Sequence, residues 1–278
     1  MPSATTFNID DYESLLVALQ TTLGVVVPEG QRSALLTRVE PLLMTYKFDS
    51  LKDLAGNLRD GKVDEIKAKV LDVISQRQPG WSLHPEMKKI LQDYIIAELP
   101  EKARIWVVGC GQGQLAYAVA IEVAEYEHSS GKDKSLQVIA TDVSRNDIKQ
   151  AESGLYSAKQ LVNVSDEFKK LYFSLNDAGM NFRIKDKIRQ LVSFSQCDLT
   201  KDFQSLGKMD LIICPEALVY FSNSMKAGIL QQFSTMLKTG GIFLTGNNQA
   251  IISHAIMSEA HALERVEHTA GVFYRKKI

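Results

Sequence analysis

The feature that most constrains this chain is the run Arg104-Ile105-Trp106-Val107-Val108-Gly109-Cys110-Gly111-Gln112-Gly113, an apolar stretch ending in three glycines at alternate positions. A helix-like segment, Gln114 to Tyr126, follows directly. Strand, glycine loop and helix in that order make a pocket for a nucleotide-type cofactor. A second apolar strand, Leu136 to Thr141, delivers Asp142 at its carboxyl end. There an acid accepts hydrogen bonds from two ribose hydroxyls bound over the first loop.

The glycine spacing separates cofactor classes. Dinucleotide loops favour G-x-G-x-x-G, whose third glycine lets the helix pack close while the pyrophosphate sits on the helix N-terminus. Here Gly109, Gly111 and Gly113 read G-x-G-x-G, a form that resembles the first motif of S-adenosylmethionine methyltransferases.

The 278 residues suffice for one large domain and a smaller one, and a hydrophobic content of 45% can fill both cores. A formal net charge of -1, with basic residues scattered along the chain, gives no electrostatic footprint for nucleic acid. Met1-Pro2-Ser3-Ala4 opens no signal sequence and no apolar run reaches bilayer-spanning length, so a cytoplasmic protein that is not integral to a membrane is expected. Cys110, Cys197 and Cys214 adjoin predicted strand ends without metal-ligand spacing, and read as small buried hydrophobes.

Two periodicities divide the chain. From about Phe7 to Ser75, leucines recur at helical spacing, as in Leu15, Leu16 and Leu19 or Leu51, Leu54 and Leu58. Arg32 and Arg38 on the second of these helices read as solvated surface. After Gln78-Pro79-Gly80 and one more helix, Pro85 to Leu99, strands alternate with helices. Strands are expected at Ile105–Val108, Val138–Thr141, Leu191–Ser195, Met209–Cys214, Gly241–Thr245 and Gly271–Arg275. That alternation predicts a parallel sheet covered by helices on both faces, with ligands beyond the carboxyl strand ends. Gly109, Asp142, Asp198 and Pro215 are expected around one crevice. The expected domains are residues 1–78, helical, and 79–278, with an inserted subdomain at 154–189. In that insertion Phe182-Arg183-Ile184 and Ile188 have room for short strands. Trp81 reads as a core anchor and His84 as a helix-start residue. His254, His261 and His268 recur every seven residues, a helical stripe read as a solvated face in preference to a metal site.

These residues carry a family resemblance: the chain resembles the chemotaxis receptor methyltransferases of the CheR family. Thr22-Leu23-Gly24-Val25 with Arg32 to Leu43 is similar to the family's N-terminal helical domain, and Ile105 to Tyr117 to its cofactor loop. The most recognisable segment is Ile139-Ala140-Thr141-Asp142-Val143-Ser144 followed by Ala151-Glu152-Ser153-Gly154-Leu155-Tyr156. Val192-Ser193-Phe194, Cys197-Asp198-Leu199 and Asp210 to Cys214 with Tyr220-Phe221 complete the order.

The resemblance implies an α/β protein: a helical N-terminal domain, then a Rossmann-like S-adenosylmethionine methyltransferase domain with a small inserted subdomain. It implies methyl transfer to glutamate carboxylates of a chemoreceptor or related signalling protein, with S-adenosylhomocysteine as product. By matching, Gly109, Gly111 and Gly113 approach the cofactor's amino-acid end, Asp142 its ribose, and Asp198 with Leu199 its adenine, while Tyr220 borders the transfer site.

The chain also departs from the family. An N-E-T-x-F-F-R-like segment is replaced by Arg77-Gln78-Pro79-Gly80-Trp81-Ser82-Leu83, so Leu83 stands where an arginine reaches the active site. The acid after the glycine loop gives way to Gln114-Leu115, and C-R-N at the fourth strand becomes Cys214-Pro215-Glu216, which puts the Glu216 carboxylate beside the cofactor. These departures leave two alternatives to receptor methylation. One is a non-catalytic, cofactor-binding regulatory module of a signalling pathway; the other is a methyltransferase with a different substrate.

Overall fold

The computed structural model describes residues 8–27, 29–60, 64–75, 81, 83–176, 179–245 and 260–277. Four helices come first: α1 (Ile9–Leu23), α2 (Arg32–Tyr46), α3 (Leu51–Asp60) and α4 (Asp64–Ser75). Helix α1 starts where the Asn8 side chain accepts a hydrogen bond from the Asp10 amide, with Asp10 and Asp11 favourably placed against the helix dipole. It stops at Gly24, whose φ of 65° is a left-handed conformation that side-chain-bearing residues resist. Leu15, Leu19, Leu35, Val39, Leu54 and Leu58 close a core of this region's own.

A helix over residues 85–98 leads into the sheet, with His84 exposed at its N-cap and Pro85 at its first position. Its middle, Leu91–Ile95, is a π-helical bulge that the leucine spacing does not signal. The strands are β1 (Arg104–Val108), β2 (Gln137–Asp142), β3 (Leu155–Ser157), β4 (Phe173–Leu175), β5 (Asn181–Ile184), β6 (Val192–Gln196), β7 (Met209–Ile213), β8 (Leu237–Leu244), β9 (Leu263–His268) and β10 (Gly271–Lys276). Seven of them form one sheet in the order β6-β2-β1-β7-β8-β10-β9.

The first five strands of that sheet run parallel, as expected. The sheet is nevertheless mixed, because β10 pairs antiparallel with both β8 and β9. Strand β9 also corrects the histidine reading. His261 lies in a turn and His268 ends a strand, so they share no helical stripe; His254 lies outside the described residues.

Alternation along β1 sends Ile105 and Val107 into one core and Trp106 and Val108 into the other. The helix Gln114–Ser130 covers the first face and the helix Asn223–Met236 the second. The order of strand connection reverses between the parallel neighbours β1 and β7, with β2 and β6 laid down on one side and β7 and β8 on the other, the kind of switch point where an α/β sheet opens a crevice beyond its strand ends. The three short strands of the 154–189 segment form a separate sheet, β3-β5-β4. Ile188, read as strand material, instead lies in a short helix, Asp186–Arg189, where its side chain is fully buried.

Candidate functional site

Three positive-φ glycines shape the loop after β1: Gly109 at 67°, Gly111 at 52° and Gly113 at 94°. Any other residue there would hold a strained left-handed backbone. Gly113 has a second reason to be glycine. A Cβ on it would lie 2.8 Å from the Ala151 Cβ and 3.2 Å from the Phe194 ring, so the loop packs directly on the next helix, Arg145–Ser153. At Gly111 an added Cβ meets nothing within 4 Å, which leaves the space above that residue open.

The amides of Gly109 and Cys110 both donate to the Thr141 carbonyl, at 2.8 and 3.0 Å, tying the loop to the end of β2. Asp142 then clamps it. Its buried carboxylate accepts from the Gly111 amide at 2.8 Å through Oδ2 and from the Ser144 amide at 3.0 Å through Oδ1. Behind the strands, the Trp106 indole donates to the Thr141 hydroxyl at 3.0 Å.

Gly109, Asp142, Asp198 and Leu199 line one cavity at the carboxyl strand ends. Its wall is mostly apolar, and Val25, Leu71 and Ile74 contribute to it from the helical region. That region is fastened nearby by a bridge between Val25 and Phe221 and by the Ser222 amide donating to the Gly24 carbonyl at 2.8 Å. The Asp198 carboxylate is turned inward to its own loop, accepting from the amide and hydroxyl of Thr200 at 2.9 and 2.7 Å.

Other expected residues stand apart from this lining. Gly111 and Gly113 belong to the loop but not to the cavity wall, and neither Pro215 nor Glu216 lines it. Glu216 is exposed, at the N-cap of the turn Ala217–Tyr220. Tyr220 ends that turn, and its side chain lies outside the described residues. Leu83 is 5% exposed and Trp81 8%, both within the main core. Of the replaced segment, Arg77 to Gly80 and Ser82 lie outside the described residues.

Burial raises the Cys110 thiol well above its ordinary range, with the Asp142 charge adding to the effect. Burial, then the neighbouring Asp198, pushes Cys197 up to about 11. Neither is a thiolate at neutral pH, as befits a packing role.

Residues that pattern reading did not single out support the loop from the inserted segment. The Tyr156 hydroxyl donates to the Gln112 carbonyl at 2.7 Å, and the Gln160 amide donates to Gln112 Oε1 at 2.9 Å. Gln114 is fully buried, yet neither its Nε2 nor its Oε1 has a hydrogen-bond partner among the described residues. A buried carboxamide is costly when unpaired, and at the first position after the glycine loop it is available to a polar ligand. No group of three or more potential metal ligands occurs among the described residues. None of their helices is long and apolar enough to cross a membrane.

Comparison with known proteins agrees with this geometry. The family model described as CheR methyltransferase, SAM binding domain, matches residues 83–266. The chain is 27% identical over 281 residues to the chemotaxis protein methyltransferase of Vibrio anguillarum, covering 99% of this chain and 100% of that protein. It is 26% identical over 275 residues to chemotaxis protein methyltransferase 1 of Pseudomonas aeruginosa, covering 96% and 98% respectively. Among solved structures, a TehB-like SAM-dependent methyltransferase from Corynebacterium glutamicum aligns over 70% of this chain and 89% of that chain, at 15% identity and a TM-score of 0.41.

The matched region contains the glycine loop, Asp142 and the unpartnered Gln114, and S-adenosylmethionine has complementary groups for them: two ribose hydroxyls and a zwitterionic amino-acid end. The family match spans more than half of the chain and the site it contains suits that cofactor, so the chain belongs to the CheR methyltransferase family and is an S-adenosylmethionine-dependent methyltransferase.

Proposed function

We propose that this protein methylates glutamate carboxylates on a chemoreceptor or related signalling protein. The observation that carries the reading is the end-to-end match to chemotaxis methyltransferases, which takes in the helical region as well as the cofactor crevice. S-adenosylmethionine supplies an electrophilic methyl group on a sulfonium that is already a good leaving group. A glutamate carboxylate is ionised at neutral pH, so it attacks without a protein base. What remains for the chain is alignment.

In this reading Gly109, Gly111 and Gly113 approach the amino-acid end of the cofactor, Asp142 holds the ribose, and Asp198 with Leu199 borders the adenine. Tyr220 and Glu216, at the two ends of one turn, flank the place where the carboxylate enters. The Val25–Phe221 bridge supports this division of labour, since it ties the helical region to that same turn. The helical region, residues 1–78, and the cofactor-binding region, 79–278 with its insertion at 154–189, are proposed as the two domains.

A second reading rests on Leu83. A buried leucine cannot hold a carboxylate, which favours a substrate presented differently from a conventional receptor helix. The test is tritiated methyl transfer from S-adenosylmethionine into receptor-containing membranes, with alkaline release of the label to show that esters formed. Label stable to alkali would point to another acceptor, and no label in any fraction would favour a regulatory cofactor-binding role.

A further inference from the structure

Gln112 sits at the crest of the glycine loop between Gly111 and Gly113, both at positive φ, 52° and 94°. A residue flanked by two glycines has many backbone conformations open to it, so whatever holds Gln112 decides which of them a ligand meets. Two side chains grip it, and both come from the inserted segment. The Tyr156 hydroxyl donates to its carbonyl at 2.7 Å, and the Gln160 carboxamide donates to its Oε1 at 2.9 Å.

The direction of the second bond is fixed. Gln160 Oε1 accepts from the Ser157 amide at 3.0 Å, in a capping box that starts the turn Ala158–Leu161, which leaves Gln160 Nε2 as the atom turned to Gln112. Burial raises the Tyr156 hydroxyl far above the ordinary phenol range, so it too stays a donor. Tyr156 belongs to β3, opposite Phe182 of β5, and its ring stands edge-on 4.7 Å from Trp81. At the other edge of the same sheet Asn176 closes the hairpin of β4 and β5: its Oδ1 accepts from the Met180 and Asn181 amides, each at 3.0 Å. Hydrogen bonds thus run without a break from that hairpin through β5 and β3 to the loop crest.

We infer that Tyr156 and Gln160 are positioning residues that couple the inserted sheet to the cofactor. By holding Gln112 in one conformation, they make order in the sheet and occupancy of the loop reinforce each other. The linkage is reciprocal: a cofactor that selects the gripped loop tightens the sheet, and loosening the sheet weakens the cofactor. The inference rests on the reading that the cofactor approaches the loop Gly109–Gly113, and it is independent of which carboxylate receives the methyl group.

The experiment follows amide hydrogen exchange of the full chain with and without S-adenosylhomocysteine, in the natural protein and in a double variant, Gln112→Met with Tyr156→Phe. The first substitution keeps side-chain length and loses the acceptor; the second keeps the ring against Trp81 and loses only the hydroxyl. In the natural protein the ligand should slow exchange about three-fold or more both in the loop and in β3, β4 and β5. In the double variant the loop should stay protected while the ligand-induced protection of the inserted sheet falls by about half or more. Calorimetry reads the reverse direction. Asn176→Ala should weaken S-adenosylhomocysteine about five-fold in the natural protein, but change it less than about two-fold in the double variant. If the two bonds only brace the fold, the double variant will exchange faster in the sheet by the same factor with and without ligand, and Asn176→Ala will act alike in both backgrounds. Either result overturns the proposal, as does a natural protein whose loop is protected by the ligand while its inserted sheet is not, or whose affinity ignores Asn176→Ala. Ligand that binds without protecting the loop would instead sink the reading that places the cofactor there, and this inference with it.

Discussion

Asp142 holds the glycine loop in shape: its Oδ2 accepts a hydrogen bond from the Gly111 amide across 2.8 Å, and its Oδ1 accepts from the Ser144 amide across 3.0 Å. The residue proposed to hold the ribose is therefore also the one that fixes the glycine loop. On that assignment, cofactor affinity and loop order are expected to be coupled through one carboxylate.

The first prediction concerns that coupling. Asp142→Ala should weaken S-adenosylhomocysteine binding by about 1–3 kcal/mol, because charge-assisted hydrogen bonds are lost and the Gly111 amide is left unpaired. Asp142→Asn should lose less, since its side-chain oxygen still accepts one bond. Calorimetric titration of both variants checks the order, and unchanged affinity in the alanine variant would remove Asp142 from the site.

Gly111 and Gly113 should respond differently to alanine. Both have positive φ, so each substitution carries about 1–2 kcal/mol of backbone strain. Only at Gly113 does the new methyl also meet Ala151 at 2.8 Å, and the neighbours there are a helix and a ring rather than a flexible side chain. Gly113→Ala should therefore lower the melting temperature clearly more than Gly111→Ala. Equal melting temperatures would mean that the loop and the helix Arg145–Ser153 separate easily.

Alkaline pH should destabilise the fold through buried acids. Cys197 is pushed from 9.0 up to about 11 and Tyr117 from 10.0 up to about 12, both chiefly by burial. Raised values mean that the folded state keeps its protons longer than the unfolded chain. That stabilisation is complete below the unfolded values and is lost as pH rises through the folded ones. Urea midpoints should thus fall between pH 9.0 and about 11 in a component that Cys197→Ser removes. A Cys197→Ser profile that overlays the unmodified one would assign the alkaline loss to other groups.

How much of this was legible in the sequence follows from where burial was uniform. Strands β1, β2 and β7 are buried nearly throughout, so apolar runs such as Leu211-Ile212-Ile213 announced them. Among the described residues strand β9 pairs at one edge, through β10, and interleaves Leu263 with the exposed Glu264 and Arg265; the seven-residue histidine spacing suggested a helical stripe, whereas His261 lies in a turn and His268 in the strand. In the candidate site, the glycine turn and the placing of Asp142 at a strand end were legible because backbone conformation and strand ends set them. Gln114 was not, since nothing in a sequence pattern tells a solvated first-turn glutamine from one that is wholly buried. Glu216 shows the reverse. Its position by matching put it beside the cofactor, yet the turn Ala217–Tyr220 begins with it facing solvent.

The last prediction follows from Leu83. Methyl transfer depends on orienting a carboxylate, and the side chain that stands in the arginine's place is buried among Trp81, Met87 and the rest of the main core. Transfer by the natural protein to conventional chemoreceptor glutamates should therefore be slow, at least about ten-fold below ordinary turnover, even though cofactor binds. Leu83→Arg should not repair it. At 5% exposure a guanidinium there would be desolvated without a carboxylate partner, at a cost on the order of 2–4 kcal/mol of stability. Tritiated methyl incorporation into receptor-containing membranes, run beside thermal melts of both proteins, decides the matter. Rapid, saturable incorporation by the natural protein would show that another group, such as Arg77 or Tyr220, orients the substrate. A Leu83→Arg variant that melts normally and transfers faster would show instead that this position opens toward the crevice.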